Sequence, residues 1–115
     1  IAVGPAAVGS DTLELAKLEN ATIAIQNGSG IEGLAEQTAE YLRSMGLQVV
    51  EAVNSDYIFY SQLNLFGSKP YTLKYLVELM NITPSSRITI QYDPNSQVDI
   101  LLFLGQDWGT ENPMP

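Results

Sequence analysis

A strand, a glycine-rich turn and the start of a helix succeed one another over residues 22–35, and this succession constrains the fold more than any other feature. The strand is rich in β-branched residues, which favour a pleated surface: Thr22, Ile23 and Ile25. The turn carries a Gly-x-Gly-x-x-Gly spacing: Gly28, Gly30 and Gly33. A strand that enters a helix in this way predicts an α/β unit in which the helix packs on a sheet.

The composition narrows the function classes. The chain has 115 residues, which is the size of one domain, and its formal net charge is −8. The five basic residues are scattered, so no basic patch is present to bind nucleic acid. Cys and His are absent, which removes the Cys-His and Ser-His nucleophile pairs and most zinc sites. No apolar run approaches the roughly 20 residues of a membrane span, so we expect no membrane insertion of this domain.

The remaining periodicities predict a two-layer α/β (α+β) sandwich. A helical stripe from Ile31 to Met45 ends at Gly46, in the position of a left-handed cap. Strands are predicted at 47–53 and 61–66, a second helix is capped by Ser68, and two strands at 87–92 and 98–104 form a hairpin. The apolar run 100–104 predicts a central strand. The order is β-α-β-β-α-β-β, with a mixed sheet of about five strands and two main helices on one face.

The domain division follows from these elements. Residues 1–20 are interpreted as a linker with a short helix capped by Ser10 or Asp11, residues 21–108 as the α/β domain, and residues 109–115 as a flexible tail. The chain opens without Met, which is typical of a piece of a longer protein.

The glycine turn has two interpretations. In the structural one, Asn27 and Gly28 turn the chain, Ser29 caps the helix with Glu32 reaching back, and Gly33 allows close packing on the first strand. In the alternative, the same turn is an anion or nucleotide site, because glycines let backbone amides approach a pyrophosphate at a helix N-terminus. The residues concerned are Asn27, Gly28, Ser29, Gly30 and Gly33.

Three segments resemble one bacterial family. The runs 25–35 (IQNGSGIEGLA) and 39–50 (AEYLRSMGLQVV), with the ending 100–107 (ILLFLGQD), are similar to the LytR C-terminal domain, a module of LytR-CpsA-Psr cell-envelope proteins. The resemblance covers residues 22–108. Members carry a Thr-x-Ile-x-Tyr-like third strand, whereas this chain reads SQLNLF at 61–66 after an added aromatic stretch.

The resemblance implies an extracytoplasmic domain attached to a membrane-anchored parent chain. The parent family's transferase active site is absent from this sequence, so we expect no enzymatic activity, cofactor or metal. The implied role is binding of cell-wall glycan or peptidoglycan, or positioning of the parent's catalytic domain. Alternatives are a protein-interaction or dimerisation module, with an envelope protein as partner, and a nucleotide binder at Gly28–Gly33.

An aromatic surface is the candidate ligand site. Four rings supply apolar area suited to sugar faces: Tyr57, Phe59, Tyr60 and Tyr71. Gln62 and Asn64 supply amides from the third strand. Asp56 is a candidate partner for the free amines of peptidoglycan stems, and the pair Asp93 and Asp99 is the one considered for glycosidase chemistry.

Overall fold

The computed structural model describes residues 5–83 and 85–114. Its helices are α1 (Pro5–Glu19), α2 (Leu34–Ser44), α3 (Pro70–Met80) and α4 (Gln106–Glu111), with a 3-10 turn at Ser85–Arg87. Its strands are β1 (Thr22–Asn27), β2 (Gln48–Asn54), β3 (Gln62–Leu65), β4 (Ile88–Ile90) and β5 (Ile100–Leu104).

The strands form one mixed five-stranded sheet in the order β2-β1-β5-β3-β4. Strand β1 runs parallel to both β2 and β5, whereas β3 is antiparallel to β5 and parallel to β4. The predicted α/β class and five-stranded mixed sheet are therefore confirmed. The apolar β5 is the central strand, as its sequence indicates: Ile100, Leu102 and Leu104 are buried on one face, and Leu101 and Phe103 are partly buried on the other.

The predicted hairpin between the last two strands is wrong. Strand β4 pairs with β3 instead, and β5 inserts between β1 and β3. The five apolar residues of β5 bury more surface between β1 and β3 than they would in a hairpin with β4. Strand β4 has only three residues and stays at the edge of the sheet.

One face of the sheet carries the core. Side chains that share this face by register are almost fully buried on the three middle strands: Ile23, Ile25, Leu63, Leu65, Ile100, Leu102 and Leu104. Helix α2 covers it with Leu34, Ala35, Thr38, Ala39 and Leu42, and α3 with Thr72, Leu76 and Met80. Gly46, with φ +92°, ends α2 as predicted.

Helix α1 begins at Pro5, earlier than the cap predicted at Ser10 or Asp11. Proline suits the first turn of a helix, and α1 gains support by packing on α3, where Ala16 is buried. Residues 1–4 and 115 of the predicted linker and tail lie outside the described residues, and residues 106–111 of the chain end are helical. The division into linker, domain and tail stays a prediction.

A carboxylate from α1 caps α3. The two oxygens of Glu19 accept hydrogen bonds from the backbone N–H of Tyr71 at 3.0 Å and of Thr72 at 2.7 Å, and the Thr72 hydroxyl donates to it at 2.7 Å. The predicted cap at Ser68 is wrong: Lys69 occupies the cap position without a side-chain bond. The negative charge of Glu19 also meets the positive end of the helix dipole.

Glu19→Gln is expected to lower the free energy of unfolding by about 1–2 kcal/mol, because an amide cannot accept all three bonds. Urea denaturation measures the change. Glu14→Gln is the matched control, since Glu14 is a 68% exposed side chain paired only with Lys17 at the surface, and it is expected to cost less than about 0.5 kcal/mol. Equal losses in the two variants would contradict the capping role of Glu19.

Candidate functional site

The segment 55–61, which joins β2 to β3, carries most of the predicted aromatic residues and is called the aromatic loop below. Three of its rings are about half exposed: Tyr57 (58%), Phe59 (52%) and Tyr60 (50%). The loop crosses the sheet end where β1 and β5 finish, because its backbone bonds to Gly28 and to residues that follow Leu104. Exposed rings on a loop are usually mobile, so its attachments decide whether it can serve as a binding surface.

The glycine turn after β1 holds the first half of the aromatic loop. The Ser55 N–H donates to Asn27 O at 3.0 Å, and the Ile58 N–H donates to Gly28 O at 2.8 Å. A Cβ atom on Gly28 would lie 2.7 Å from the Asp56 carbonyl oxygen and 2.9 Å from Ile58 Cγ1. Glycine is therefore required at position 28 because another backbone passes directly over it.

The turn after β5 holds the second half. The Asp107 carboxylate accepts hydrogen bonds from the Ser61 N–H at 3.0 Å and the Ser61 hydroxyl at 2.7 Å, while the Asp107 N–H donates to Phe59 O at 3.1 Å. The Gly105 N–H donates to Ser61 Oγ at 2.9 Å. A Cβ atom on Gly105 would lie 2.6 Å from the Tyr60 carbonyl carbon, so this turn too is pressed against the loop backbone.

The Arg87 side chain packs on the Tyr60 ring, which in turn contacts Phe59. The Arg87 guanidinium carbon lies 3.7 Å from the centroid of the Tyr60 ring, and Phe59 meets Tyr60 edge to face at 4.7 Å. Arg87 Nη1 is also 3.9 Å from Asp107 Oδ2, and both side chains are about four-fifths buried. The cation–π contact and this ion pair connect Tyr60 to the 3-10 turn before β4 and to α4.

The internal bonds of the glycine turn differ from the predicted capping box. Ser29 does not cap α2; its hydroxyl donates to Asn27 Oδ1 at 2.6 Å and accepts from the Ile31 N–H at 3.0 Å. The helix instead begins at Leu34 after Gly33, which needs glycine for its φ of +81°. The predicted close packing at Gly33 is wrong, since no atom lies within 4 Å of the position of its Cβ.

The hydrogen bonds within the glycine turn count against the alternative hypothesis that this turn binds a nucleotide. The N–H groups of Gly28, Ser29 and Ile31 donate to Leu104 O, Asn27 Oδ1 and Ser29 Oγ respectively. A phosphate-binding turn presents such amides to its ligand. These three amides are therefore not presented to a pyrophosphate.

A groove of about 270 Å³ is lined by residues of both the glycine turn and the aromatic loop, beside their point of contact at Gly28. The carboxyl ends of the parallel strands β1 and β2 form its floor, at the position where open α/β sheets commonly bind ligands. Its lining includes Asn27, Gly30, Glu32, Asn54, Ser55 and Tyr57.

The predicted binding residues do not all meet at this site. Gln62 and Asn64 lie in register with Phe103 and Leu101, on the sheet face opposite the core. Tyr71 is 44% exposed in the first turn of α3, at the opposite end of the sheet, and does not join the aromatic loop. The binding role of these residues stays a prediction.

Sequence reasoning missed three residues that build the site: Ser61, Arg87 and Asp107. The Leu-Gly-x-Asp ending at 104–107 was the available signal for Asp107. No pattern links Ser61 or Arg87 to it, because 46 residues separate Ser61 from Asp107 in the chain.

The candidate catalytic carboxylates have structural partners. Asp99 Oδ2 accepts from the Thr22 N–H at 3.0 Å, and Asp93 Oδ1 accepts from the Asn95 N–H at 2.9 Å. Within residues 5–83 and 85–114, no group of three or more carboxylates is arranged to hold a metal ion. Among the helices of the same described residues, none has the length and apolar character needed to cross a membrane.

Comparisons with known proteins identify a family and, separately, a similar fold. Residues 20–108 match the family described as LytR cell envelope-related transcriptional attenuator. The fold is similar to that of the soluble domain of a conserved hypothetical secreted protein from Mycobacterium marinum, with a TM-score of 0.53 and 19% identity over 86% of this chain and 69% of that one. Among curated proteins, no match is found.

Gly105→Ala is expected to destabilise the protein by about 2–3 kcal/mol, because the added methyl group meets backbone atoms that cannot move aside. Gly109→Ala is the matched control: its methyl group would come equally near, 2.5 Å, to the end of the flexible Ile31 side chain, and Ala favours a helix. Thermal and urea denaturation compare the two variants. A smaller loss for Gly105→Ala than for Gly109→Ala would contradict the backbone clamp at Gly105.

Asp107→Asn is expected to loosen the aromatic loop, since an amide replaces one acceptor oxygen of the carboxylate that binds Ser61 and pairs with Arg87. Hydrogen exchange should become faster at Phe59, Tyr60 and Ser61 and stay unchanged in α2. Glu111→Gln, an exposed change on the same helix, serves as the control. Unchanged exchange in the loop of Asp107→Asn would refute this role.

Proposed function

Because the chain belongs to the LytR C-terminal domain family, we propose that it is a non-catalytic, extracytoplasmic module of a larger cell-envelope protein, and that it binds cell-wall glycan or peptidoglycan. The single observation that carries the binding role is the group of three exposed rings on the aromatic loop: Tyr57, Phe59 and Tyr60. The family's name and the secreted protein of similar fold support the location.

Exposed rings suit a glycan ligand for a physical reason. Sugar faces present C–H groups, and an aromatic ring covers them with apolar area while leaving the hydroxyl groups in water. Binding usually loses free energy when a loop becomes ordered. Here the Gly28, Gly105 and Asp107 contacts already fix the loop, so that cost is small.

The structural hydrogen bonds of two partly buried carboxylates, Asp99 and Asp107, favour a binding role over catalysis. Asp99 holds the amino end of β1 through Thr22, and Asp107 holds Ser61. A glycosidase needs two carboxyl groups facing one cleft at a set separation. Asp99 and Asp107 lie at opposite ends of β5 and are each engaged in hydrogen bonds.

The protein-interaction alternative ranks second. The edge strand β2 exposes Val50 and Val53, which favour contact with another chain. Arg43 opposes strand addition there, because its Nε and Nη2 donate to the Val49 carbonyl at 3.1 and 2.9 Å. A charged side chain bonded to an edge carbonyl is a common protection against sheet extension.

Replacing Tyr57 or Phe59 with Ala is expected to weaken retention on isolated peptidoglycan sacculi, and the double variant to weaken it further. Each ring is expected to contribute about 0.5–1.5 kcal/mol, which corresponds to roughly 2- to 12-fold in the dissociation constant. Co-sedimentation at low and physiological salt measures the binding, and circular dichroism confirms that each variant folds.

Tyr92→Ala is the matched control for these variants. Tyr92 is more exposed, at 64%, but follows β4 at the opposite end of the sheet from the aromatic loop. Tyr71→Ala tests whether the fourth predicted ring takes part. The proposal is refuted if wild type is not retained on sacculi, or if Tyr92→Ala weakens retention as much as the loop variants.

A further inference from the structure

The groove beside the aromatic loop has a wall of unusual composition. One side is the ring of Tyr57, which lies against Gly30: a Cβ atom there would be 3.4 Å from Tyr57 Cδ1. The Tyr57 hydroxyl donates a hydrogen bond to Gln106 Oε1. Glu32 is a further lining residue of the groove.

The Glu32 carboxylate is free of the ion pairs formed within the described residues, whose members are Glu14, Glu36 and Asp107 with their basic partners. None of the five basic side chains lines the groove. Glu32 is exposed and lines the groove, so a group that enters the groove comes near a negative charge that no basic side chain neutralises.

The remaining lining favours a cation over an anion. Asn27, Asn54 and Ser55 contribute polar groups, and the ring face of Tyr57 attracts positive charge. Three backbone amides of the turn, those of Gly28, Ser29 and Ile31, already donate within the fold and are not presented to an anion. A net charge of −8 adds long-range attraction for cations.

Size selects the kind of cation. Pockets for whole drug-sized ligands run from roughly 300 to 1,000 Å³, whereas this groove has about 270 Å³. It fits a side chain better than a sugar polymer. An aliphatic stem can lie on the Tyr57 ring and Ile31 while a terminal ammonium group meets Glu32.

We infer that this groove binds a primary ammonium group at the end of a short aliphatic chain. The inference rests on the proposed function, since amino side chains of peptidoglycan stem peptides are the source to which it commits. Glu32 supplies the counter-charge and Tyr57 the apolar and cation–π surface. Asp56, the carboxylate predicted for such amines, does not line the groove.

The test is an NMR titration of the 115-residue chain with Nα-acetyl-lysine methylamide, which carries one free ε-ammonium group. Saturable shifts are expected at the amides of Gly30, Glu32 and Ser55, with a dissociation constant in the roughly millimolar range for a single solvent-exposed ion pair with a ring contact. The Nε-acetylated probe and inorganic phosphate should give no saturable shift there.

Glu32→Gln is expected to weaken binding of the lysine probe about fivefold or more, which corresponds to about 1 kcal/mol. Glu40→Gln is the matched control, because it makes the same change in net charge. Glu40 is an exposed glutamate on α2 and does not line the groove. The inference is overturned if the probe gives no saturable shift, if the acetylated probe or phosphate binds equally well, or if Glu40→Gln has the same effect as Glu32→Gln.

Sacculi with chemically acetylated stem amines separate the two proposals. Weaker retention on acetylated than on native sacculi supports stem peptides as the source of the amine. Equal retention on both overturns the stem-amine assignment and leaves wall binding through the rings intact. If neither kind of sacculus retains the domain while the lysine probe still binds, wall binding fails and the ammonium site stands, with a protein lysine as its source.

Discussion

Contact of backbone with backbone at Gly28 and Gly105 is the constraint on which the functional end of this domain depends. Strands β1 and β5 are parallel neighbours, so the turns that follow them lie side by side, and the Gly28 N–H donates to Leu104 O at 2.9 Å. Each turn lacks a Cβ at the point where the aromatic loop crosses it. A methyl group at either position would lift the loop off the sheet and break the hydrogen bonds that hold it.

This arrangement gives a physical reason for two segments of family resemblance that lie far apart in the chain. The Asn-Gly-Ser-Gly turn secures the first half of the aromatic loop, and the Leu-Gly-x-Asp ending secures the second half. Neither needs a ligand to explain its glycine. The segment that they hold presents aromatic rings, and Tyr60 among them contacts Arg87, which pairs with Asp107. The motif residues form a support, and the binding chemistry belongs to the loop.

The parts of the fold that the sequence predicts are those set by local or periodic signals. The apolar run of β5 indicates a central strand, and Gly46 indicates a left-handed helix end, because each depends only on neighbouring residues. The cap of α3 could not be predicted in this way: Glu19 reaches Thr72 across 53 residues and displaces the local candidate Ser68. The contact of Ser61 with Asp107 spans 46 residues and could not be predicted from the sequence for the same reason. The exposure of the aromatic residues also depends on these long-range contacts, which decide that the loop lies on the surface instead of packing into the core.

The absence of the predicted capping box at Ser29 and Glu32 changes the surroundings of the Glu32 carboxylate. A capping box would have placed the helix start at Ser29 and directed the Glu32 carboxylate back to the backbone. Asn27 takes the Ser29 hydroxyl instead, and the helix starts at Leu34 after the left-handed Gly33. Glu32 is thereby left in a turn, exposed at the groove wall with its carboxylate outside the hydrogen bonds of the turn. Departures from local rules tend to gather at functional sites, where a residue is kept for what it can bind. At Glu32 the departure leaves a negative charge, outside the ion pairs of the described residues, in the same groove as the Tyr57 ring, and both groups attract an ammonium group.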